Sequence, residues 1–252
     1  MVKTLNETPR LQLDGDCATV WLQRPQLANR LSLDDIETLH THIASLRGRP
    51  DLRLVLLRGA GTHFCAGFQI DAVDKVDAPA LFEALTADWE SLPQLTLALI
   101  QGDAWGGAVD LALACDFRLG AARGRIGIPA ARLGLHFYGG GMQRLISRLG
   151  LAAAKRLLLA GEVWSDVERL RAGFLDDMDE DLDSLLLRWQ ARLLALAPLA
   201  QSGMKRHLNA IAGDRLDRQQ LAADMARCAA SADLAEGLAA WVQRRAPQFA
   251  GA

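Results

Sequence analysis

The sequence predicts an α/β core over residues 1–180, followed by a helical piece over residues 181–252. Three observations carry this prediction. Short apolar runs such as Ala18–Leu22, Arg53–Leu57 and Leu95–Leu99 read as strands, and turns or amphipathic stretches separate them. Glycine clusters at Gly59-Ala60-Gly61, Gly106-Gly107 and Gly139–Gly141 mark where strands turn or helices open. From Leu182 onward the pattern is almost wholly helical, broken at Pro198 and Gly213. Strands alternating with helices first, and helices alone afterwards, read as a mixed core with a helical appendage.

Composition narrows the function class. The chain has 252 residues, half of them hydrophobic and 23% charged, with a formal charge of −2. This balance gives no reason to expect nucleic acid or an anionic membrane as partner. No apolar run approaches the ~18 residues that a membrane helix needs. The first residues, Met1-Val2-Lys3-Thr4-Leu5-Asn6-Glu7, lack the apolar core of a signal peptide, so a cytoplasmic location is expected. Cys17, Cys65, Cys115 and Cys228 are widely spaced, form no CxxC, and read as reduced thiols without disulfides or zinc.

The elements follow in order. Leu11–Leu13 and Ala18–Leu22 flank Asp14-Gly15-Asp16, a hairpin signal. Ser32 with Asp35 three residues on is a capping-box pattern; it opens a helix whose Leu33, Ile36, Leu39, Ile43 and Leu46 share a face. His40 and His42 on that helix read as surface or core-edge residues. Arg53–Leu57 is a strand, Pro79–Leu92 a helical stretch, Leu95–Leu99 a buried strand and Phe117–Leu119 another strand. Gly139–Gly141 opens a helix through Leu149, Ala152–Ala160 is helical, and Gly173-Phe174-Leu175 ends the strand-bearing part.

The stretch Ile100–Asp116 organises the chain. It leads from the Leu95–Leu99 strand through Gly106-Gly107 into Ala108–Cys115, where Asp110 is the only charged residue. A helix apolar on nearly every face is buried on nearly every face. Its first N–H groups have no intrahelical partner, and glycine lets a ligand approach them closely. Such a site can hold an oxygen that becomes negative during reaction. The same residues also suit a tight turn with close packing. A second strand–glycine-turn unit, Leu54–Leu57 followed by Cys65-Ala66-Gly67, offers a second backbone donor.

With these residues in view the chain resembles the crotonase superfamily, the enoyl-CoA hydratase/isomerase family. The resemblance rests on Phe64-Cys65-Ala66-Gly67, on Gly106-Gly107-Ala108 through Ala114-Cys115-Asp116, on Pro129 with Leu133-Gly134, and on Gly140-Gly141 with Gln143-Arg144-Leu145. Arg24-Pro25 with Asn29, Leu159-Ala160-Gly161, Met204-Lys205 and Arg245–Phe249 echo it more weakly. It implies a crotonase-like ββα spiral core with helices that associate into trimers or paired trimers. It implies an acyl-CoA thioester as substrate, coenzyme A being part of that substrate, with no metal or redox cofactor. The thioester oxygen would be held by the N–H groups of Ala66 and Gly107, with Gly106 beside them. Ala66, Gly67, Phe68, Gln69 and Ile70 would line the pantetheine and adenine path.

Beyond the oxyanion hole the chain departs from the family. Hydratases of the family hold water between two glutamates. The first position is Asp110 here, and the second is Ala130, which cannot transfer a proton. Adding water needs a base and an acid, so efficient hydration is not expected. Asp110 reads equally as an acid/base or as a structural carboxylate near a helix start. His136 and Tyr138, after Leu133-Gly134, are further candidates, since histidine suits proton transfer near neutral pH; the same segment also reads as pocket filler. His63 and Asp71 flank the first donor loop and read as surface residues. Trp105 before the glycines is similar to the methylmalonyl-CoA decarboxylase branch, although Phe68 and Phe137 stand where that branch carries its histidine and tyrosine. Three readings therefore compete: a hydratase/isomerase-like enzyme with one carboxylate, a decarboxylase or other enolate-forming enzyme, and an acyl-CoA-binding subunit without catalysis. The leucine-rich run with Leu185, Leu186, Trp189, Leu193 and Leu194 is expected to form the association surface.

Overall fold

The hairpin Arg10–Asp14 (β1) and Cys17–Leu22 (β2) pairs antiparallel, with Gly15 in the left-handed region at φ +57° as a tight turn requires. The computed structural model describes residues 8–69 and 77–252. Ser32 caps α1 (Leu33–Arg47) through the expected box, its hydroxyl accepting from the Asp35 N–H while the Asp35 carboxylate accepts from the Ser32 N–H. Ile36, Leu39, Ile43 and Leu46 lie buried on one face, and Leu33 is half-buried at its start.

The chain continues through β3 (Leu54–Gly59), α2 (Ala78–Glu90) and β4 (Leu95–Ile100). A two-residue strand, β5 (Ala104–Trp105), precedes α3 (Gly107–Leu113); β6 (Phe117–Ala121) and β7 (Arg125–Gly127) follow. Then come α4 (Gly139–Leu149), α5 (Leu151–Leu158), β8 (Val163–Ser165), α6 (Asp166–Arg171) and β9 (Asp177–Asp179). The helical piece comprises α7 (Leu182–Leu194), α8 (Pro198–Ala212), α9 (Arg218–Ala229) and α10 (Ala232–Gln243).

The main sheet has the order β1-β2-β3-β4-β6-β9, parallel from β2 onward, and a second sheet joins β5, β7 and β8. The short strands β8 and β9 lie beyond what apolar runs foretold, because Val163–Ser165 and Asp177–Asp179 carry too few apolar residues to signal burial.

A parallel sheet needs cover on both faces. Val55, Leu57, Ala98 and Ile100 face α1, α2 and α3, while Leu54, Leu56, Leu97, Leu99 and Leu119 face the other way. That second face is covered by Leu182, Leu185, Leu186 and Leu193 of α7. The expectation that Leu185, Leu186 and Leu193 form an exposed association surface is therefore corrected. They are buried because the sheet's outer face needs a lid within the same chain. Trp189 and Leu194 are half-buried at the lid's edge. Leu187 on the far side of α7 stays exposed, and further exposed apolar residues of the helical piece include Met204, Leu208 and Ile211 on α8, Met225 on α9, and Leu238, Trp241 and Val242 on α10.

Candidate active site

Two turns from different strands meet beside the start of α3. The first, Phe64–Gln69, is braced by the segment that follows β2. Asn29 sends its side-chain amide to the carbonyls of Ala60 and His63, both at 2.8 Å, while Arg24 pairs with Asp35 at 3.0 Å. The N–H groups of this turn can be followed one by one. Those of Phe64 and Cys65 donate to the Asp103 carbonyl, that of Ala66 to the Ala28 carbonyl at 2.8 Å, and that of Gly67 weakly to Cys65 Sγ. Leu31 bonds the residues on either side of Phe68, its N–H donating to Gly67 O and its carbonyl accepting from Gln69 N. In a parallel ladder the residue between two such bonds turns its own N–H and C=O to the opposite edge. Phe68 is thus the residue of this turn whose N–H has no partner among the described residues.

The second turn contributes Gly107, the first residue of α3, whose N–H likewise has no partner among the described residues. Gly106 N–H, by contrast, donates to Gly127 O at 2.8 Å. Gly67 brings the turns together. It lies at φ +85°, and a Cβ there would stand 2.6 Å from the Trp105 carbonyl oxygen and 3.5 Å from the Gly107 nitrogen. Only glycine permits that approach. The expected donor at Ala66 is therefore corrected, because its N–H is spent on Ala28 and the open N–H lies two residues later.

Both turns line a cavity with a mainly apolar wall. Its lining combines Ala66, Gly67, Phe68, Gly106 and Gly107 of the two turns with Phe82 and Trp105, and with Ala130, Phe137 and Tyr138 among the residues that follow β7. Ala130 does face the cavity, and no carboxylate does among the described residues. Of the expected path residues, Gln69 lies outside the cavity wall, and Ile70 and Asp71 fall outside the described residues. His63 is half-buried near Asp103 and also outside the wall.

Asp110 stands behind this wall, fully buried. Its Oδ1 accepts from Arg144 Nη1 at 2.6 Å and its Oδ2 from the Tyr138 hydroxyl at 2.7 Å. Burial by itself would lower the Arg144 pKa, but the Asp110 and Glu90 carboxylates more than offset this and hold it above the usual arginine value. Burial first, and the Asp110 charge second, push Tyr138 well above the usual tyrosine pKa. Glu90 in turn accepts from Arg148, which also reaches Asn209 of α8 at 2.8 Å. Both carboxylate oxygens of Asp110 are thus committed to protein donors.

His136 lies exposed at the cavity rim. Its Nδ1 is 2.7 Å from the Phe137 carbonyl oxygen. A carbonyl only accepts, so Nδ1 donates this bond, and in the neutral ring Nε2 is then the nitrogen with the lone pair. Cys65, the thiol within the first turn, offers no nucleophile. Burial pushes its pKa up to about 12, and Sγ donates to the Asn29 carbonyl at 3.1 Å.

Residue-by-residue reading missed Glu90, Arg148, Phe82 and the role of Arg144. One signal was present: a lone aspartate in an all-apolar helix requires a buried cation, and Arg144 lies in the Gln143-Arg144-Leu145 motif. Nothing in the sequence singles out the Phe68 N–H.

The comparisons with known proteins agree with this architecture. The enoyl-CoA hydratase/isomerase family pattern matches residues 14–252. The human mitochondrial enoyl-CoA hydratase domain-containing protein 2 is 31% identical over 255 residues, spanning 94% of this chain and 87% of its own. The crotonyl-CoA hydratase of Syntrophomonas wolfei is 28% identical over 250 residues, with 95% and 96% covered. The crystal structure of the enoyl-CoA hydratase from Bacillus anthracis superposes with a TM-score of 0.88 at 26% identity, over 98% of this chain and 100% of that one. With a family match over nearly its whole length and the fold to accompany it, the chain belongs to the enoyl-CoA hydratase/isomerase family.

Proposed function

We propose that the protein acts on an acyl-CoA thioester, stabilises the thioester enolate with the N–H groups of Phe68 and Gly107, and moves a proton within the substrate rather than adding water efficiently. Coenzyme A enters as part of the substrate. The observation that carries this reading is the separation of Asp110 from the cavity, both its oxygens occupied, while Ala130 stands at the cavity wall. Two aligned amides aimed at one oxygen can each contribute about 3 kcal/mol when the charge develops in the transition state.

The proton-carrying role falls to His136 through Nε2. In an isomerisation the C2–H bond breaks, the proton passes to Nε2, and the electron pair delocalises onto the thioester oxygen. The same proton then returns to C4 as the double bond moves to C2–C3. One base suffices for this sequence, whereas water addition needs a second group. Tyr138 is a poor alternative, because its hydroxyl hydrogen is held by Asp110.

The test is a turnover assay with a 3-enoyl-CoA, crotonyl-CoA and methylmalonyl-CoA, on the parent protein and His136→Gln. Isomerisation of the 3-enoyl thioester, falling by ~100-fold or more in the variant, is the expected result. Faster hydration of crotonyl-CoA, or release of CO2 from methylmalonyl-CoA, would replace this reading by another reaction of the family. Binding of all three without turnover would replace it by an acyl-CoA-binding subunit.

A further inference from the structure

Four aromatic rings run along the cavity wall next to the two open amides. Phe68 and Phe82 meet edge-on with centroids 6.4 Å apart, Phe82 and Tyr138 lie tilted at 6.3 Å, and Tyr138 and Phe137 stack at 4.6 Å. All four line the cavity. Phe82 is buried and lies directly over Gly107, so close that a Cβ on that glycine would be 2.7 Å from the ring. Tyr138 is fixed in turn by its bond to Asp110. The wall around the thioester position is therefore built of rings held from behind.

The space they leave is small, about 150 Å³. An apolar cavity of roughly that volume is known to take benzene. The only ionisable side chains on the described wall are His136, at the exposed rim, and Tyr138. A charged acyl end would lose its hydration there without a matching partner among the described residues. A long alkyl chain would overfill the space, and ordering it would cost rotamer entropy. A flat ring meets neither cost and gains offset or edge-on contacts with the wall.

We infer that the acyl group this cavity accepts is compact, neutral and ring-bearing, an aromatic or alicyclic acyl thioester rather than a long-chain or carboxylated one. The inference rests on the acyl-CoA reading above and specifies its substrate class.

Titration calorimetry with four non-reacting probes tests it: benzoyl-CoA, acetyl-CoA, dodecanoyl-CoA and succinyl-CoA. Benzoyl-CoA is expected to bind about 10-fold more tightly than each of the others, the scale of one well-placed aromatic contact. Phe137 is half-buried at the cavity's edge. Phe137→Ala is expected to reduce the preference for benzoyl-CoA over dodecanoyl-CoA, and an unchanged preference in the folded variant would overturn the inference. Dodecanoyl-CoA or succinyl-CoA binding as tightly as benzoyl-CoA to the parent protein overturns the inference and leaves the acyl-CoA reading standing. Equal affinity for benzoyl-CoA and acetyl-CoA does the same. Failure of all four thioesters to bind overturns both.

Discussion

The Tyr138 hydroxyl donates to Asp110 Oδ2 at 2.7 Å, and the tyrosine ring, not the carboxylate, faces the cavity. Asp110 thereby becomes a buried anchor shared by α3, α4 and the segment before α4. Its second oxygen is taken by Arg144, which Glu90 also holds, so the charge is balanced inside the protein. A carboxylate so engaged, and outside the cavity lining, is held toward protein donors rather than toward substrate.

Tyr138 is the only tyrosine in the chain, so the tyrosinate absorption band reports on it alone. Its pKa in the folded protein is raised above the ordinary value of about 10 by burial and then by Asp110. The neutral form is favoured by folding, so this contribution to stability is complete below pH ~10 and is lost as pH rises toward the folded-state pKa. A spectrophotometric titration is expected to show no tyrosinate through pH ~10 while the fold persists. In Asp110→Asn the band should rise at lower pH than in the parent protein. A band rising at the ordinary pH in the folded parent protein would contradict the buried pair.

Asp110→Asn should act on stability rather than chemistry. Removing one partner of a buried ion pair costs about 3 kcal/mol, partly relieved here because Arg144 keeps Glu90. The thermal midpoint is expected to fall by several degrees. Turnover on the accepted substrate should fall by less than about 10-fold, against the ~100-fold or more that loss of a general acid/base produces. A ~100-fold loss with an unchanged midpoint would return Asp110 to the catalytic role.

Gly107→Val should abolish turnover by displacing the ring above it. Overpacking of this kind costs about 1–3 kcal/mol, and the first atom struck is Cε1 of Phe82 at 2.7 Å. Adding Phe82→Leu should recover part of the stability measured by thermal melting. A Gly107→Val protein that folds and keeps parental activity would refute the placement of the open amide.

Association should run through α8 and α10. Trp241 is 86% exposed and Val242 80%, and with Leu238 they make an apolar surface next to the chain's end. Exposed apolar residues clustered this way mark interaction sites. Light scattering is expected to give a trimer or hexamer, as the family resemblance implies, and the Leu238→Glu/Trp241→Glu variant a smaller species. A monomer at micromolar concentration in the parent protein would refute this.

Much of the fold was legible because local rules governed it. The capping box at Ser32, the hairpin at Gly15 and the helical periodicity of α1 each depend on residues within a few positions of one another. The Leu185, Leu186 and Leu193 stripe shows where this reading stops. Periodicity shows that a face is apolar, but not whether the partner covering it is the same chain's sheet or another subunit.

The sequence by itself determined the alternation of strands and helices, the glycine turns, the family, and the proton-inert alanine at position 130. Only the tertiary structure decided the fate of the remaining polar groups. Whether the open amide belongs to Ala66 or Phe68 depends on which carbonyl lies opposite, and Ala28 is 38 positions upstream of Ala66. Whether Asp110 reaches substrate depends on Arg144 and Tyr138, which come from the segment folded against α3. Hydrogen bonding is directional and short in range, so its pairings follow from spatial neighbours that residue order does not display.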